Sequence, residues 1–274
     1  MLETKQTKEV LMVKLVIADM DGTLLDQNNE FSDQLFEVIE KLKERDVQFA
    51  VGSGRQYYNL LKRFETIQND MIFVAENGAM IFDHGKHVYT DEIDRDKLIQ
   101  IIQEVRAVDG IYPILCGEKM AYLEDTDPVF LENTKLYYDR FEVVEDLIEA
   151  TKDDTICKLA FFNEGHAESV IYPTLEKYKE EFMIPISGAN WVDMMNLGVN
   201  KGQAVKVLQK KYGISKEECM AFGDYLNDYE MMKECHYSYA MANAHPKLKE
   251  ICNYQAKSNR ENGVVDAIIE FFKL

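Results

Sequence analysis

Four short polar clusters in this 274-residue sequence carry side chains able to act together on a phosphate ester. They are Asp19-Met20-Asp21-Gly22-Thr23, Gly52-Ser53-Gly54-Arg55, Asn200-Lys201-Gly202 and Gly223-Asp224-Tyr225-Leu226-Asn227-Asp228. Phosphoryl transfer needs a nucleophile, a divalent cation, donors for the equatorial oxygens, and an acid/base for the leaving group and water. Asp19 is a carboxylate able to attack phosphorus and form an aspartyl-phosphate. Asp21 shares its face if the strand continues, although a turn at Gly22 can redirect it, and its carboxyl can protonate the leaving oxygen and then deprotonate water. Magnesium prefers hard oxygen ligands, which suits Asp19, the backbone carbonyl of Asp21, and Asp224. Asn227 and Asp228, one turn further on, are candidates to position phosphate or metal-bound water. Ser53 offers a hydroxyl, the N–H groups around Gly54 open a helix whose positive end favours an anion, and Lys201 adds a point charge for the phosphate and for Asp19.

Each cluster alone has a plainer reading. Asp21-Gly22 is a common turn, Gly-Ser-Gly a common loop, a lysine at a helix start is usually solvated, and Asp224 would serve as an N-cap. Their order along the chain and their placement at strand ends separate the two readings.

The elements that must hold these clusters follow from hydrophobic periodicity. Lys14-Leu15-Val16-Ile17-Ala18 is a short apolar strand ended by Asp19. Leu35, Phe36, Val38, Ile39 and Leu42 form one helical face with Ser32 as the expected N-cap. A strand at Val47-Val51, a helix from Gln56 to Phe64 and a strand at Met71-Ala75 continue the alternation. It resumes late in the chain with a helix over Lys201 to Tyr212, a strand at Cys219-Phe222, a helix over Tyr225 to Lys233, a strand at Tyr237-Ala240 and a helix from Val264 to Phe272. Such alternation predicts an α/β fold, a doubly wound parallel sheet with a Rossmann-like core, whose ligands bind beyond the carboxyl ends of its strands. Between them the pattern is mixed, with helices at Asp94 to Val108 and Ala167 to Tyr178 and strands at Tyr112 to Cys116, Lys119 to Leu123, Ile156 to Phe162 and Phe182 to Ile186. This block reads as an inserted α+β cap domain over residues 84–186, leaving a discontinuous core of 1–83 and 187–274.

The remaining composition is that of a folded, soluble chain: 46% hydrophobic, 11% aromatic and 29% charged. A formal charge of −18 without a basic stripe argues against nucleic acid. No apolar run reaches the ~20 residues of a membrane helix, and the polar start beginning Met1-Leu2-Glu3 lacks a secretory core. Five scattered cysteines, Cys116, Cys157, Cys219, Cys235 and Cys252, with no C-x-x-C pair, fit reduced thiols in the cytoplasm, serving as small hydrophobes. The histidines (His84, His87, His166, His236, His245) are dispersed, His84-Gly85-Lys86 reads as a hairpin turn, and Met194-Met195 and Met231-Met232 read as core. Asp153-Asp154 and Glu180-Glu181 read as solvated surface, and Trp191 as the return from the cap.

Taken together, the four clusters resemble the motifs of the haloacid dehalogenase-like superfamily, and more finely its Cof-type sugar-phosphatase branch with the large cap subclass IIB. Ala75-Glu76-Asn77-Gly78-Ala79, Met241-Ala242-Asn243-Ala244 and Ser258-Asn259-Arg260-Glu261-Asn262-Gly263-Val264 are similar to further signatures of that branch. The resemblance implies Asp19 as nucleophile, Asp21 as acid/base and carbonyl ligand, Asp224 as the other protein ligand of Mg2+, and Asp228 supporting the metal shell. It implies phosphate contacts from the Met20 backbone, Ser53, Gly54, Lys201 and Asn227. Met20 stands where Leu is usual, and Ser53 where Thr is common. The expectation is a cytoplasmic, magnesium-dependent phosphatase of small phosphorylated metabolites, sugar phosphates first, working as a monomer or small homo-oligomer. A phosphotransferase or mutase of the same chemistry, and a non-catalytic phosphosugar-binding module, are the alternatives; the latter would have lost Asp19, Lys201 or Asp224, and all three are present.

Overall fold

The computed structural model describes residues 13–274. The polar start, on which the reading of a non-secretory leader rests, lies outside them. The strands are β1 (Leu15–Asp19), β2 (Gln48–Gly52), β3 (Ile72–Ala75), β4 (Met80–Asp83), β5 (Lys86–Thr90), β6 (Tyr112–Gly117) and β7 (Ala121–Leu123). They continue with β8 (Phe141–Val143), β9 (Ile156–Phe162), β10 (Phe182–Met183), β11 (Trp191–Asn196), β12 (Cys219–Gly223), β13 (Tyr237–Ala240) and β14 (Tyr254–Gln255). By its contacts the chain divides into two compact units, Met1–Ala50 with Val205–Leu274, and Val51–Ala204.

In the first unit the strand order is β14-β13-β12-β1, all paired in parallel, with the start of β2 following. Every residue of β1 and β12 is buried, as expected of parallel strands covered on both faces. Ala18 pairs with Phe222, so the next residues, Asp19 and Gly223, close their strands side by side at the carboxyl end of the sheet. The helix Leu35–Lys43 buries Leu35, Val38, Ile39 and Leu42. Its N-cap is Gln34 rather than Ser32; the Ser32 hydroxyl instead takes the Gln34 N–H at 3.4 Å in the turn before the helix.

The second unit holds the end of β2, then β3-β4-β5, and a separate six-stranded sheet ordered β10-β11-β9-β6-β7-β8. The turn joining β4 to β5 has His84 at φ 50° and Gly85 at φ 73°, the two positive angles of a tight hairpin. Side chains of the small sheet alternate between its faces. Leu159 and Phe161 join a core with Ile101, Ile102 and Val105 of the helix Arg95–Val105. Ala160 and Phe162 join another with Ile114, Phe130 and Trp191. Trp191 opens β11, a member of this sheet, and its ring packs 4.9 Å from Phe162.

Three local features depart from the periodic reading. The helix Pro128–Tyr137 starts on Asp127, whose carboxylate takes the Val129 and Phe130 N–H groups at 2.9 and 3.0 Å. The expected helix over Ala167 to Tyr178 runs unbroken but changes its hydrogen-bond spacing, from a wide turn over Ala167–Ile171 to α over Tyr172–Leu175 and a tight turn over Glu176–Tyr178; Pro173, with no N–H for the ladder, lies at the first change. Asp154, expected as solvated, accepts the Tyr122 hydroxyl and the Lys119 N–H, each at 2.9 Å. Among the described residues no helix is long and apolar enough to cross a membrane.

Candidate active site

In the first unit, the chain turns sharply as it leaves β1. Asp21 keeps an extended φ of −80°, and Gly22 turns to φ +80°. A Cβ on Gly22 would lie 2.4 Å from Asp224 Oδ2, so both the conformation and the close approach require glycine here. Asp19 at the end of β1, Asp224 just after β12 and Asp228 in the tight turn Leu226–Asp228 then bring one carboxylate oxygen each within 4.8 Å of one another. Asp19 and Asp228 are buried, and Asp224 is half-buried. Three ionised carboxylates this close repel by on the order of 3 kcal/mol per pair at an effective dielectric near 20; a hard divalent cation among them reverses that sign.

The trio is held by its neighbours. One Asp228 oxygen accepts the backbone N–H groups of Asp224 and Tyr225 at 3.0 and 3.3 Å, which fixes the loop bearing Asp224. The Thr23 hydroxyl donates to Asp224 Oδ1 at 3.3 Å. The His245 N–H reaches the Asp224 carbonyl at 2.7 Å. The Asn243 amide donates to the Gly22 carbonyl at 2.8 Å, and its oxygen accepts the Asn259 N–H at 3.1 Å. Asn259 in turn donates to the Leu25 carbonyl at 2.8 Å. Asn243 and Asn259 thus clasp both ends of the turn that follows Asp19. The sequence marked them only as parts of family signatures. Of the other expected residues in this unit, Asp21 and Asn227 are exposed, Met20 is buried, and the Asp21 carboxylate is not one of the trio.

Ser53, Gly54 and Lys201 belong to the second unit. Ser53 is buried after β2, its N–H bonded to the Val74 carbonyl at 2.9 Å, and its hydroxyl accepts the Arg55 N–H at 3.2 Å. Gln56 binds the backbone of Asp139 and Arg140 through both ends of its amide, at 2.7 to 3.1 Å. Lys201 begins the helix Lys201–Tyr212 and is fully buried. The bend Glu76-Asn77-Gly78 touches both places. Asn77 donates its N–H to the Ser53 carbonyl at 2.9 Å, and a Cβ on Gly78 would meet the Asn200 carbonyl at 2.4 Å. The structure therefore gathers Ser53, Gly54 and the start of the Lys201 helix around one bend.

The same unit contains a charge cluster that the sequence reading passed over. Lys158 Nζ lies 2.5 Å from Glu76 Oε2 and 3.8 Å from Asp193 Oδ1. Burial opposes the Lys158 charge, but Asp193 and Glu76 outweigh it and lift its pKa well above the usual lysine value. Burial pushes the Glu76 carboxyl up, offset only in part by Lys158. Lys158 is shared by two carboxylates while each carboxylate has one ammonium, so the lysine keeps its proton and Glu76 is the softer partner. Nearby, burial raises the Cys116 thiol and the Tyr138 hydroxyl, which keeps both protonated and the thiol unreactive. A lysine inside the otherwise apolar run Ile156–Phe162 was the signal available in the sequence.

A family model described as haloacid dehalogenase-like hydrolase matches residues 16–268. The chain is 30% identical over 266 residues to the 5-amino-6-(5-phospho-D-ribitylamino)uracil phosphatase YbjI of Escherichia coli K12, covering 96% of this chain and 97% of that one. It is 26% identical over 262 residues to the 5-amino-6-(5-phospho-D-ribitylamino)uracil phosphatase YcsE of Bacillus subtilis 168, covering 95% and 96%. Among solved structures, a protein of Streptococcus mutans UA159 superposes with a TM-score of 0.82 at 30% identity, over 96% of this chain and 100% of that one.

Proposed function

The chain belongs to the haloacid dehalogenase-like hydrolase family and is a phosphatase, and we propose that it hydrolyses the phosphate monoester of a small phosphorylated metabolite of the sugar-phosphate class with Mg2+ as cofactor. The observation that carries this reading is the trio Asp19, Asp224 and Asp228 gathered at the ends of β1 and β12. Two relatives matched over nearly their full length are named for the same substrate, a phosphorylated ribityl compound. That compound, 5-amino-6-(5-phospho-D-ribitylamino)uracil, is the first one to test.

Asp19, Asp224 and Asp228, with the Asp21 carbonyl, are the residues to hold magnesium; their oxygens are the hard donors it prefers. When bound, the ion supplies positive charge to offset that of the phosphoryl group. Asp19 attacks phosphorus, the ester oxygen leaves with a proton from Asp21, and the phosphoryl group rests on Asp19. Asp21 then takes a proton from water, the water oxygen attacks phosphorus, and inorganic phosphate departs with Asp19 regenerated. Ser53, Lys201, Asn227 and the N–H groups of Met20 and Gly54 are assigned to the phosphate oxygens. The burial of Ser53 and Lys201 supports roles other than surface solvation.

The cap domain is assigned to residues 84–186 and the core to 1–83 and 187–274, with β11 completing the cap's sheet from just beyond that limit. The cytoplasm is the compartment that suits five free cysteines. A monomer or small homo-oligomer is the working assembly, with neither nucleic acid nor membrane as partner.

The test is phosphate release from a panel of phosphorylated metabolites, including the ribityl compound, with magnesium and with chelator. Hydrolysis that needs magnesium and falls about a thousandfold or more in Asp19→Asn is expected. Turnover retained by Asp19→Asn would sink the covalent route, and release unaffected by chelator would sink the cofactor. Label passing from the ester to a sugar hydroxyl instead of water would make the enzyme a transferase.

A further inference from the structure

Lys158 is the one charged residue of β9, in which all seven residues are buried. Its side chain is 4% exposed, that of Glu76 2% and that of Asp193 12%. Buried ion pairs are weak contributors to stability, because desolvation cancels most of the attraction and apolar pairs of equal volume do as well. Another reason for this one lies in what Glu76 is attached to. Glu76, Asn77 and Gly78 have φ of 50°, 56° and 103°, three successive left-handed residues of which two are not glycine, a backbone that persists only where its surroundings enforce it. From this bend Glu76 gives its N–H to the Arg55 carbonyl at 3.1 Å and Asn77 gives its own to Ser53 at 2.9 Å. Gly78 abuts the Asn200 carbonyl immediately before Lys201. The Glu76 side chain points the other way, to Lys158 of the small sheet, and Ser187 and Asp193 complete the anchor through a 2.7 Å hydrogen bond.

We propose that Lys158, acting through Glu76, is a positioning residue for phosphate binding: it locks the 76–78 bend in the conformation that sets the Ser53 loop and the start of the Lys201 helix. This rests on the assignment of Ser53 and Lys201 to the phosphate made above. The small sheet thereby influences phosphate affinity through a side chain that touches no substrate.

The experiment measures inhibition by inorganic phosphate, KM and kcat for p-nitrophenyl phosphate, and thermal melting. The variants are Glu76→Gln, Lys158→Arg and the double variant Glu76→Met with Lys158→Met; Ser53→Ala serves as control. The double variant removes the charges of the close pair together and leaves Asp193 its hydrogen bond from Ser187, so it disturbs the fold less than removing Lys158 alone. A melting point near that of wild type, with the phosphate inhibition constant and KM raised about tenfold and kcat changed less, is expected, as for other groups that act through a ligand-bearing neighbour. Glu76→Gln is expected to shift the same constants in the same direction, and Lys158→Arg to recover most of the affinity. Wild-type phosphate inhibition and KM in the double variant, or in Glu76→Gln, would overturn the proposal and leave the pair a packing feature. If instead Ser53→Ala leaves phosphate inhibition unchanged, the phosphate assignment itself fails, and the positioning role falls with it.

Discussion

Two groups of three charged side chains differ in what they are made of. Asp19, Asp224 and Asp228 are all carboxylates, gathered at the end of a parallel sheet in the first unit. Glu76, Lys158 and Asp193, in the second, contain their own cation on a buried strand. The first arrangement offers hard oxygen donors to a divalent cation, and the second is a permanent fixture. A fixed ammonium beside two carboxylates serves geometry.

The largest effect should separate the two groups by what is lost. Asp19→Asn is expected to cost about a thousandfold or more in turnover, with a melting point within a few degrees of wild type; a collapsed melt would mean the carboxylate is structural. Lys158→Met is expected to do the opposite in emphasis, lowering unfolding free energy by about 3–5 kcal/mol by stranding Glu76 in the interior, as chemical denaturation would measure. A loss under about 1 kcal/mol would mean that Glu76 simply takes up a proton at little cost.

Asp228→Asn should fall between them. Its amide oxygen can still accept the Asp224 and Tyr225 N–H groups, so the loop keeps its shape while magnesium affinity drops about tenfold or more, read by titrating activity with the ion. Asn243→Ala removes the donor to Gly22 and the acceptor for Asn259. About 1 kcal/mol of stability and a larger fraction of kcat should go with it; unchanged kcat would show that the clasp does not position the turn.

The smallest effect belongs to a pair with one partner in solvent, Lys14 being exposed and Glu218 buried, which sets the baseline for the comparison. The backbone N–H of Ser215, and then Lys14, hold the Glu218 carboxyl below its ordinary value. A depressed carboxylate pKa stabilises above the unfolded value and is lost as pH falls through the folded one. Glu218→Gln should therefore cost under about 1 kcal/mol at neutral pH, and nothing once the pH has fallen through the lowered pKa of the folded state. A cost that persists in acid would point to packing instead of charge.

Much of the core was legible because strong patterns and strong local chemistry coincide there. β1, β12 and the helices Leu35–Lys43 and Gly263–Phe272 fall within a residue or two of the periodic reading. The hairpin at His84-Gly85 was equally plain, since two positive φ angles demand such residues. What escaped were short elements with little periodicity, such as β8 and β14, which are held by pairing partners rather than by their own pattern. The helix Pro128–Tyr137 escaped although Asp127-Pro128 is a start signal, because its apolar stripe is narrow, with only Phe130 and Thr134 buried.

The sequence by itself determined that Asp19, Asp21, Asp224 and Asp228 are the acidic residues to consider, because residue type and strand-end position can be read along one dimension. That Asp19, Asp224 and Asp228 bring their oxygens within 4.8 Å was decided by the parallel register of β1 on β12. That Glu76 meets Lys158 was decided by how the small sheet packs on the bend after β3. Neither follows from local propensity, since distances between residues remote along the chain are set by which strands pair and which faces pack. Those pairings and packings belong to the folded chain as a whole.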